Sequence, residues 1–261
     1  MEHPILEMNN VHVQYELDEG IVNAVRGTSY RLFENETLAI VGESGCGKSQ
    51  SSFAAMGLIQ PPGRVTRGEI LFRENDQADA INLLKYHRNS REMRRIRGGR
   101  ISMIFQEPMT ALSPVHRIGD QIDEVLKLHT ELDKQQRYER ACDLLARVGI
   151  PDARRRYHQY SFEFSGGMRQ RIMIAISLAC DPRVLFADEP TTGLDVTIQA
   201  QILDLIKELQ KRSSMGVVLI THDLAVVAET SDRVAVMYLG KIVEAADVHT
   251  LFKSPKHPYT I

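Results

Sequence analysis

The densest chemistry in the chain lies at Gly42-Glu43-Ser44-Gly45-Cys46-Gly47-Lys48-Ser49. An apolar run, Leu38-Ala39-Ile40-Val41, precedes it and reads as a short buried strand. Gln50 to Leu58 follows and can form a helix. Strand, GxxxxGKS and helix in that order make a phosphate-binding loop. Its glycines let successive backbone N–H groups turn inward onto a β-phosphate, and the helix start adds unpaired N–H groups and its dipole. Lys48 supplies a compact charge for the β- and γ-phosphates, and the Ser49 hydroxyl can ligate Mg²⁺. A plain Gly/Ser-rich turn would need neither flanking element, so the stretch implies a bound nucleoside triphosphate. Cys46 sits inside this cradle, where oriented N–H groups and the Lys48 ammonium favour a thiolate. On that expectation it reacts first with a maleimide and is protected by Mg-ATP. The competing expectation is a small residue with its sulfur turned into the core.

Hydrolysis needs more than a cradle. Val184-Leu185-Phe186-Ala187 reads as an apolar strand that delivers Asp188 and Glu189 at its C-terminal end, where ligands bind in open α/β sheets. Asp188 is a candidate Mg²⁺ ligand, and Glu189 a candidate to orient or deprotonate the attacking water. His222 follows a second apolar strand, Val217 to Ile220, and so emerges at the same sheet edge, where an imidazole can hydrogen-bond a γ-phosphate oxygen. Gln106 ends a third, Ile101 to Phe105, and its amide oxygen can reach Mg²⁺ or the water. Ser165-Gly166-Gly167-Met168 opens a helix and forms a second anion cradle. One nucleotide needs one cradle, so the second implies a site completed by another subunit.

These residues require a scaffold of alternating strands and helices. Residues 5–15 and 21–33 read as a hairpin, with Tyr15 closing the first strand either as a stacking platform for a base or as a core or edge aromatic. Pro61-Pro62-Gly63 stops the chain, and Gly68 to Phe72 resumes as a strand. Lys85, Arg88, Arg91, Arg94, Arg95, Arg97 and Arg100 read as a solvated helix face. Between residues 113 and 163 helical periodicity takes over, with Ile118, Ile122, Val125, Leu126, then Ala141, Leu144, Leu145 and Val148 on one face. Helices are expected over 166–180 and 197–213, and strands over 184–187, 216–220 and 233–237. From Ser254 a Pro-containing tail is expected to leave the fold. The pattern implies an α/β fold with a mostly parallel core sheet, an N-terminal antiparallel β-subdomain and an inserted helical subdomain. The expected bounds are 1–110 with 181–253 for the core, 111–180 for the helical part and 254–261 for the tail.

The 261 residues carry a formal charge of −2, which argues against broad binding to nucleic acid or anionic lipid. Cys46, Cys142 and Cys180 lack metal-ligand spacing and cannot all pair, which favours a reducing, cytosolic setting. No apolar signal segment follows Met1, and the longest apolar run, Ile172 to Cys180, is about half a membrane span. A membrane role is therefore expected to come through a partner.

The ordered set of phosphate loop, Gln106, Ser165 to Gln170, Asp188-Glu189, Asp195 and His222 resembles the nucleotide-binding subunit of an ABC transporter, a P-loop ATPase. Within that family it is most similar to ATP-binding subunits of peptide importers, with nickel and opine importers as relatives. Val41 to Gly45, Phe105 to Leu112, Ser165 to Arg171 and Thr191 to Gln201 carry this likeness, and Ser254 to Thr260 fits it too. The resemblance implies that Tyr15 stacks on adenine, that Gln106 senses Mg²⁺ and the membrane subunit, and that His222 is a switch histidine. It further implies that Ser165, Gly166, Gly167 and Met168 contact ATP held by the opposite subunit, and that Asp195 lies at the dimer contact.

ATP and Mg²⁺ are the implied cofactors. The implied partners are a second ATPase subunit (identical or not), transmembrane permease subunits and, indirectly, a substrate-binding protein, with the chain peripheral on the cytoplasmic face of the membrane. Phe164, Met168, Gly193, Cys46 and Asn35 depart from the commonest family residues without removing a ligand-forming group. Family members of the peptide subgroup typically continue into a Cys-bearing segment, and no iron–sulfur site is expected of these 261 residues. The rival readings are a soluble ABC ATPase of translation or DNA repair, which usually carries two cassettes or long coiled coils, and a non-hydrolysing regulator, which would need neither Glu189 nor His222.

Overall fold

A computed structural model describes residues 3–106 and 111–261. Glu107, Pro108, Met109 and Thr110, part of the stretch carrying the family likeness, lie outside the described residues. Ten strands are described: β1 (Leu6–Leu17), β2 (Gly20–Leu32), β3 (Thr37–Val41), β4 (Gly63–Phe72), β5 (Ile81–Asn82), β6 (Ile101–Ile104), β7 (Val184–Asp188), β8 (Gly216–Ile220), β9 (Arg233–Tyr238) and β10 (Lys241–Asp247). By their contacts the residues form two compact units. One holds the chain up to Arg94 together with Ser214–Ile261, and the other holds Arg95–Ser213.

The first unit contains an antiparallel sheet in the order β2-β1-β4-β5. Along β1 the buried positions change phase, from Leu6 and Met8 to Val11 and Val13. A register shift between Met8 and Val11, with Asn10 at φ 50°, resets the alternation so that both pairs face the same core. Asparagine tolerates that left-handed backbone better than most residues. A second group of strands runs β10-β9-β3-β8, with β3 parallel to both β8 and β9 and only β10 antiparallel. Every residue of β3 and β8 is buried, which is why both read as unbroken apolar runs rather than alternating ones. Because β3 and β8 are parallel and in register up to Ile40–Ile220, the phosphate loop and His222 leave the same edge of adjacent strands.

In the second unit β6 and β7 pair in parallel, from Ile101–Val184 to Ile104–Ala187, and deliver Gln106 and Asp188 at one edge. The helical residues split into Ile118–His129, Lys134–Arg147 and a short turn at Ala153–Arg156, followed by Gly166–Ser177. Ile118, Ile122 and Leu126 are buried, as are Ala141, Leu144 and Leu145, matching the periodic face. Asp133 starts the second of these helices with a reciprocal capping box to Gln136. Val196–Ser213 completes the unit.

The structure differs from the sequence reading at several points. β4 begins at Gly63, immediately after the proline pair, and not at Gly68. The basic stretch 85–100 yields only the six-residue helix Arg91–Ile96, which keeps Arg91, Arg94 and Arg95 in solvent and buries Met93 and Ile96. β10 and the helix Val248–Lys253 were not foreseen, because their apolar residues pack on a cluster supplied by β3 and β9 and show little periodicity of their own. The tail does not leave the fold: Tyr259 packs against the buried cluster of Ala39, Val41, Val234 and Val236.

Candidate nucleotide-binding and hydrolysis site

The loop after β3 owes its path to close backbone approaches. Gly42 has φ 154°, and a Cβ there would lie 2.2 Å from the Met237 carbonyl oxygen; at Gly47, φ 104°, it would lie 2.2 Å from the Ala24 carbonyl oxygen. No other residue fits at either position without moving main chain. The helix Lys48–Ala55 then starts at Gly47 with no side chain capping it, so its first N–H groups face the loop. Lys48 is 6% exposed, and its ammonium donates to the carbonyl oxygens of Gly42 at 2.7 Å and Glu43 at 2.9 Å. The charge is thereby held against the loop with part of its donor capacity still available to an anion. Glu43, Ser44 and Gly45 are exposed, and Ser49 is half-buried at the helix start.

Cys46 reverses the first expectation. It is 5% exposed and its sulfur faces Gly42 from within the loop. Burial raises the thiol above its ordinary value, outweighing the attraction of Lys48, so the neutral thiol is favoured and not the thiolate. The nearby positive charge does not win because the sulfur is turned inward, where desolvation acts most strongly. Burial also raises Cys142, and takes Cys180 to about 11. We therefore expect maleimide to modify Cys46 in the folded protein more slowly than a free cysteine, with Mg-ATP making no difference to the rate. Rapid inactivation that Mg-ATP prevents, measured by mass spectrometry and ATPase assay, would contradict the buried thiol.

Tyr15 lies along β1 with its hydroxyl donating to Gln50 on the loop helix, and its ring occupies the space beside Gly63. Burial raises its phenol above the ordinary value and keeps it a neutral donor. The ring is half-buried, so part of it remains open to solvent. His222 is exposed at the end of β8, and with Gly42, Glu43, Phe252, Pro255 and Tyr259 it borders a cavity of about 470 Å³.

In the second unit, Asp188 is 3% exposed at the end of β7, and Glu189 is 9% exposed with φ 45°. A left-handed glutamate is an unusual conformation, of the kind held in place where a side chain must be aimed. Two donors converge on one oxygen of its carboxylate, the Gln106 amide at 3.0 Å and the Thr192 hydroxyl at 2.9 Å. Gln106 thus uses its amide nitrogen on Glu189, a contact that was not anticipated, and Thr192 is a site residue that the sequence reading missed. Thr192 follows the acidic pair by only three residues, a spacing that turns it back onto Glu189. Gln170, buried on the helix Gly166–Ser177, donates to the Pro190 carbonyl and ties that helix to the same turn.

Ser165 caps that helix through Met168 N–H at 3.4 Å and is exposed, as is Gly166. A Cβ at Gly167 would press on Ile198 at 3.1 Å, whereas at Gly166 it would meet nothing within 4 Å among the described residues. Among the described residues no packing contact requires a glycine at 166. Asp195 caps the helix Val196–Ser213 through Ile198 N–H at 3.0 Å and is also exposed.

The donor set also bears on a divalent ion. Among the described residues no group of three His, Cys, Asp or Glu side chains could hold a metal. Ser49 in the first unit and Asp188 in the second are each a hard oxygen donor of the kind Mg²⁺ takes, an ion that keeps several waters and draws further oxygens from phosphates.

Known proteins resemble this chain along almost its whole length. The sequence model of the ABC transporter family matches residues 25–192. A dipeptide transport ATP-binding protein of Bacillus subtilis (strain 168) is 51% identical over 98% of this chain and 74% of its own length. An oligopeptide transport ATP-binding protein of the same strain is 51% identical over 98% of this chain and 70% of its own. Among solved structures, a dimeric bacterial ABC transporter cassette superimposes with a TM-score of 0.79 at 26% identity, covering 93% of this chain and 98% of that one. A dimeric ATP-binding cassette in a post-hydrolysis state, bound to ADP and phosphate, gives 0.78 at 26% identity, with the same coverage of both chains. A glycine-built phosphate cradle, a doubly restrained glutamate at a strand end and these matches along almost the whole chain lead to one assignment: the chain belongs to the ABC transporter family.

Proposed function

We propose that the protein is the ATP-binding and hydrolysing subunit that powers import of peptides through a membrane transporter. The observation that carries the peptide assignment is the 51% identity, over 98% of the chain, with dipeptide and oligopeptide transport ATP-binding proteins. A glutathione import ATP-binding protein of Escherichia coli (strain K12) is 47% identical over the same share of this chain, and glutathione is itself a short peptide.

In this reading the loop N–H groups from Gly42 to Ser49 bind the phosphates, and Lys48 neutralises the β/γ end. Tyr15 carries the adenine. Ser49 and Asp188 would hold Mg²⁺, which supplies charge stabilisation at the β- and γ-oxygens. Glu189, its carboxylate fixed by Gln106 and Thr192, positions the attacking water and takes its proton; His222 hydrogen-bonds the γ-phosphate. Ser165 to Met168 and Asp195 face a second subunit's nucleotide. The exposure of Ser165 and Gly166, and the open space around Gly166 among the described residues, support that role.

Among the described residues no helix is long and apolar enough to cross a membrane. In this reading permease subunits hold the protein at the cytoplasmic face, with a substrate-binding protein acting through them. Affinity purification from membranes tests this: permease subunits should accompany the protein, whereas ribosomal or DNA-repair partners in their place would reject transport.

A further expected result concerns Ser165→Arg. The bulky cation should abolish ATPase activity, because it blocks the surface facing the second subunit, and leave the monomer's own ATP affinity near wild type. Loss of monomer affinity, measured by equilibrium binding at low protein concentration, would place Ser165 in the chain's own pocket.

A further inference from the structure

Tyr259 lies outside residues 25–192, which match the family, and touches the phosphate loop directly. The Glu43 N–H donates to the Tyr259 hydroxyl at 3.0 Å. That N–H belongs to the peptide group between Gly42 and Glu43, whose carbonyl oxygen accepts the Lys48 ammonium at 2.7 Å. A trans peptide is planar, with N–H and C=O pointing in opposite directions, so fixing one end fixes the other. Tyr259 and Lys48 therefore hold a single peptide group from its two sides.

The segment that carries Tyr259 is itself anchored. The Glu244 carboxylate on β10 accepts the N–H groups of Lys256 at 2.8 Å and His257 at 2.9 Å, and these bonds hold its carboxyl below the usual range. The Tyr259 N–H bonds to the His257 ring nitrogen at 3.2 Å, and Pro255 and Pro258 restrict the backbone on either side. The Tyr259 ring packs on Tyr238 at a centroid distance of 4.5 Å and rests against the buried cluster beneath β3. Anchor, turn and ring together aim one hydroxyl at one loop amide.

We propose that Tyr259 is a positioning residue for the nucleotide site: it orients the Gly42–Glu43 peptide and, through that peptide's carbonyl, the ammonium of Lys48. The proposal rests on the reading of Gly42–Ser49 as the phosphate cradle. It gives the segment Ser254–Ile261 a task at the site, as a strap on the loop's first peptide. A packing aromatic would need the ring alone, whereas this role needs the hydroxyl as an acceptor.

Tyr259→Phe separates the two, because it keeps the ring and removes only the acceptor. A neutral hydrogen bond of this kind corresponds to about a three- to tenfold change in an equilibrium constant. We expect the dissociation constant for ATP to rise by that factor, KM for ATP to follow it and kcat to change less, with the thermal midpoint of the nucleotide-free protein unchanged. Glu244→Ala, which releases the anchor, should move KM in the same direction. Lys48→Ala serves as the reference. If Lys48→Ala loses affinity and Tyr259→Phe stays within about twofold of wild type, the strap is rejected and the cradle stands. A fall in kcat with KM unchanged also rejects it, since that would assign Tyr259 to chemistry. If neither variant loses affinity, the cradle reading itself fails.

Discussion

Glu189→Gln should retain ATP binding and lose turnover by about 10²–10⁴-fold, the usual contribution of a positioned general base. The substitution is close to isosteric, and the surroundings of Glu189 make it a clean test. The oxygen that accepts from Gln106 at 3.0 Å and Thr192 at 2.9 Å is present in glutamine as well, so both restraints and the left-handed backbone at φ 45° survive. What disappears is the ability to take a proton and the negative charge beside the water. ATP then stays bound and unhydrolysed, and two protein chains held together by nucleotide should accumulate. Size-exclusion chromatography with Mg-ATP measures the dimer, and phosphate release measures turnover. A variant retaining more than about a tenth of wild-type hydrolysis would remove Glu189 from the role of base.

The Thr192 contact sharpens that expectation. If the carboxylate must be aimed as well as charged, Thr192→Val, which removes one of these donors, should lower kcat in a phosphate-release assay while leaving ATP affinity alone, since neither Gln106 nor Thr192 belongs to the phosphate loop.

Lys48→Ala should weaken ATP binding by about 10- to 100-fold, because it removes charge-assisted hydrogen bonds to the phosphates. Two effects combine at this residue. The ammonium is lost as a ligand, and the carbonyl oxygens of Gly42 and Glu43 lose the donor that braces the loop. At 6% exposure the lysine is also part of the packed loop, so the nucleotide-free protein should be destabilised by about 1–3 kcal/mol. The two losses can be told apart. Wild type should show a thermal midpoint that climbs with ATP concentration, as any ligand selective for the folded state requires, and the variant's midpoint should stay nearly flat over the same range. An ATP affinity within about twofold of wild type would contradict the phosphate-loop assignment.

The sequence by itself determined what short-range rules can encode. Gly42 and Gly47, Lys48 and Ser49 sit between an apolar strand and a helix, and eight residues suffice to make that turn. Asp188, Glu189 and His222 each follow an apolar run, and strand ends in parallel sheets are where ligands bind, so each could be read as the end of a strand without coordinates. β3 and β8 do place the loop and His222 side by side. The helices Ile118–His129 and Lys134–Arg147 were equally legible, because their buried residues repeat with the helix period.

Only the tertiary structure decided the features that depend on distant chain. Charges near Cys46 in the sequence argued for a thiolate, but the sulfur's inward orientation made desolvation the larger effect. The restraint on Glu189 joins residues 83 positions apart, and the Tyr259 bond to the loop spans 216. No local propensity encodes such pairings: a tyrosine after Pro258 reads as part of a departing tail until β3 and β9 supply the apolar surface that draws its ring back, and with it the hydroxyl that meets Glu43.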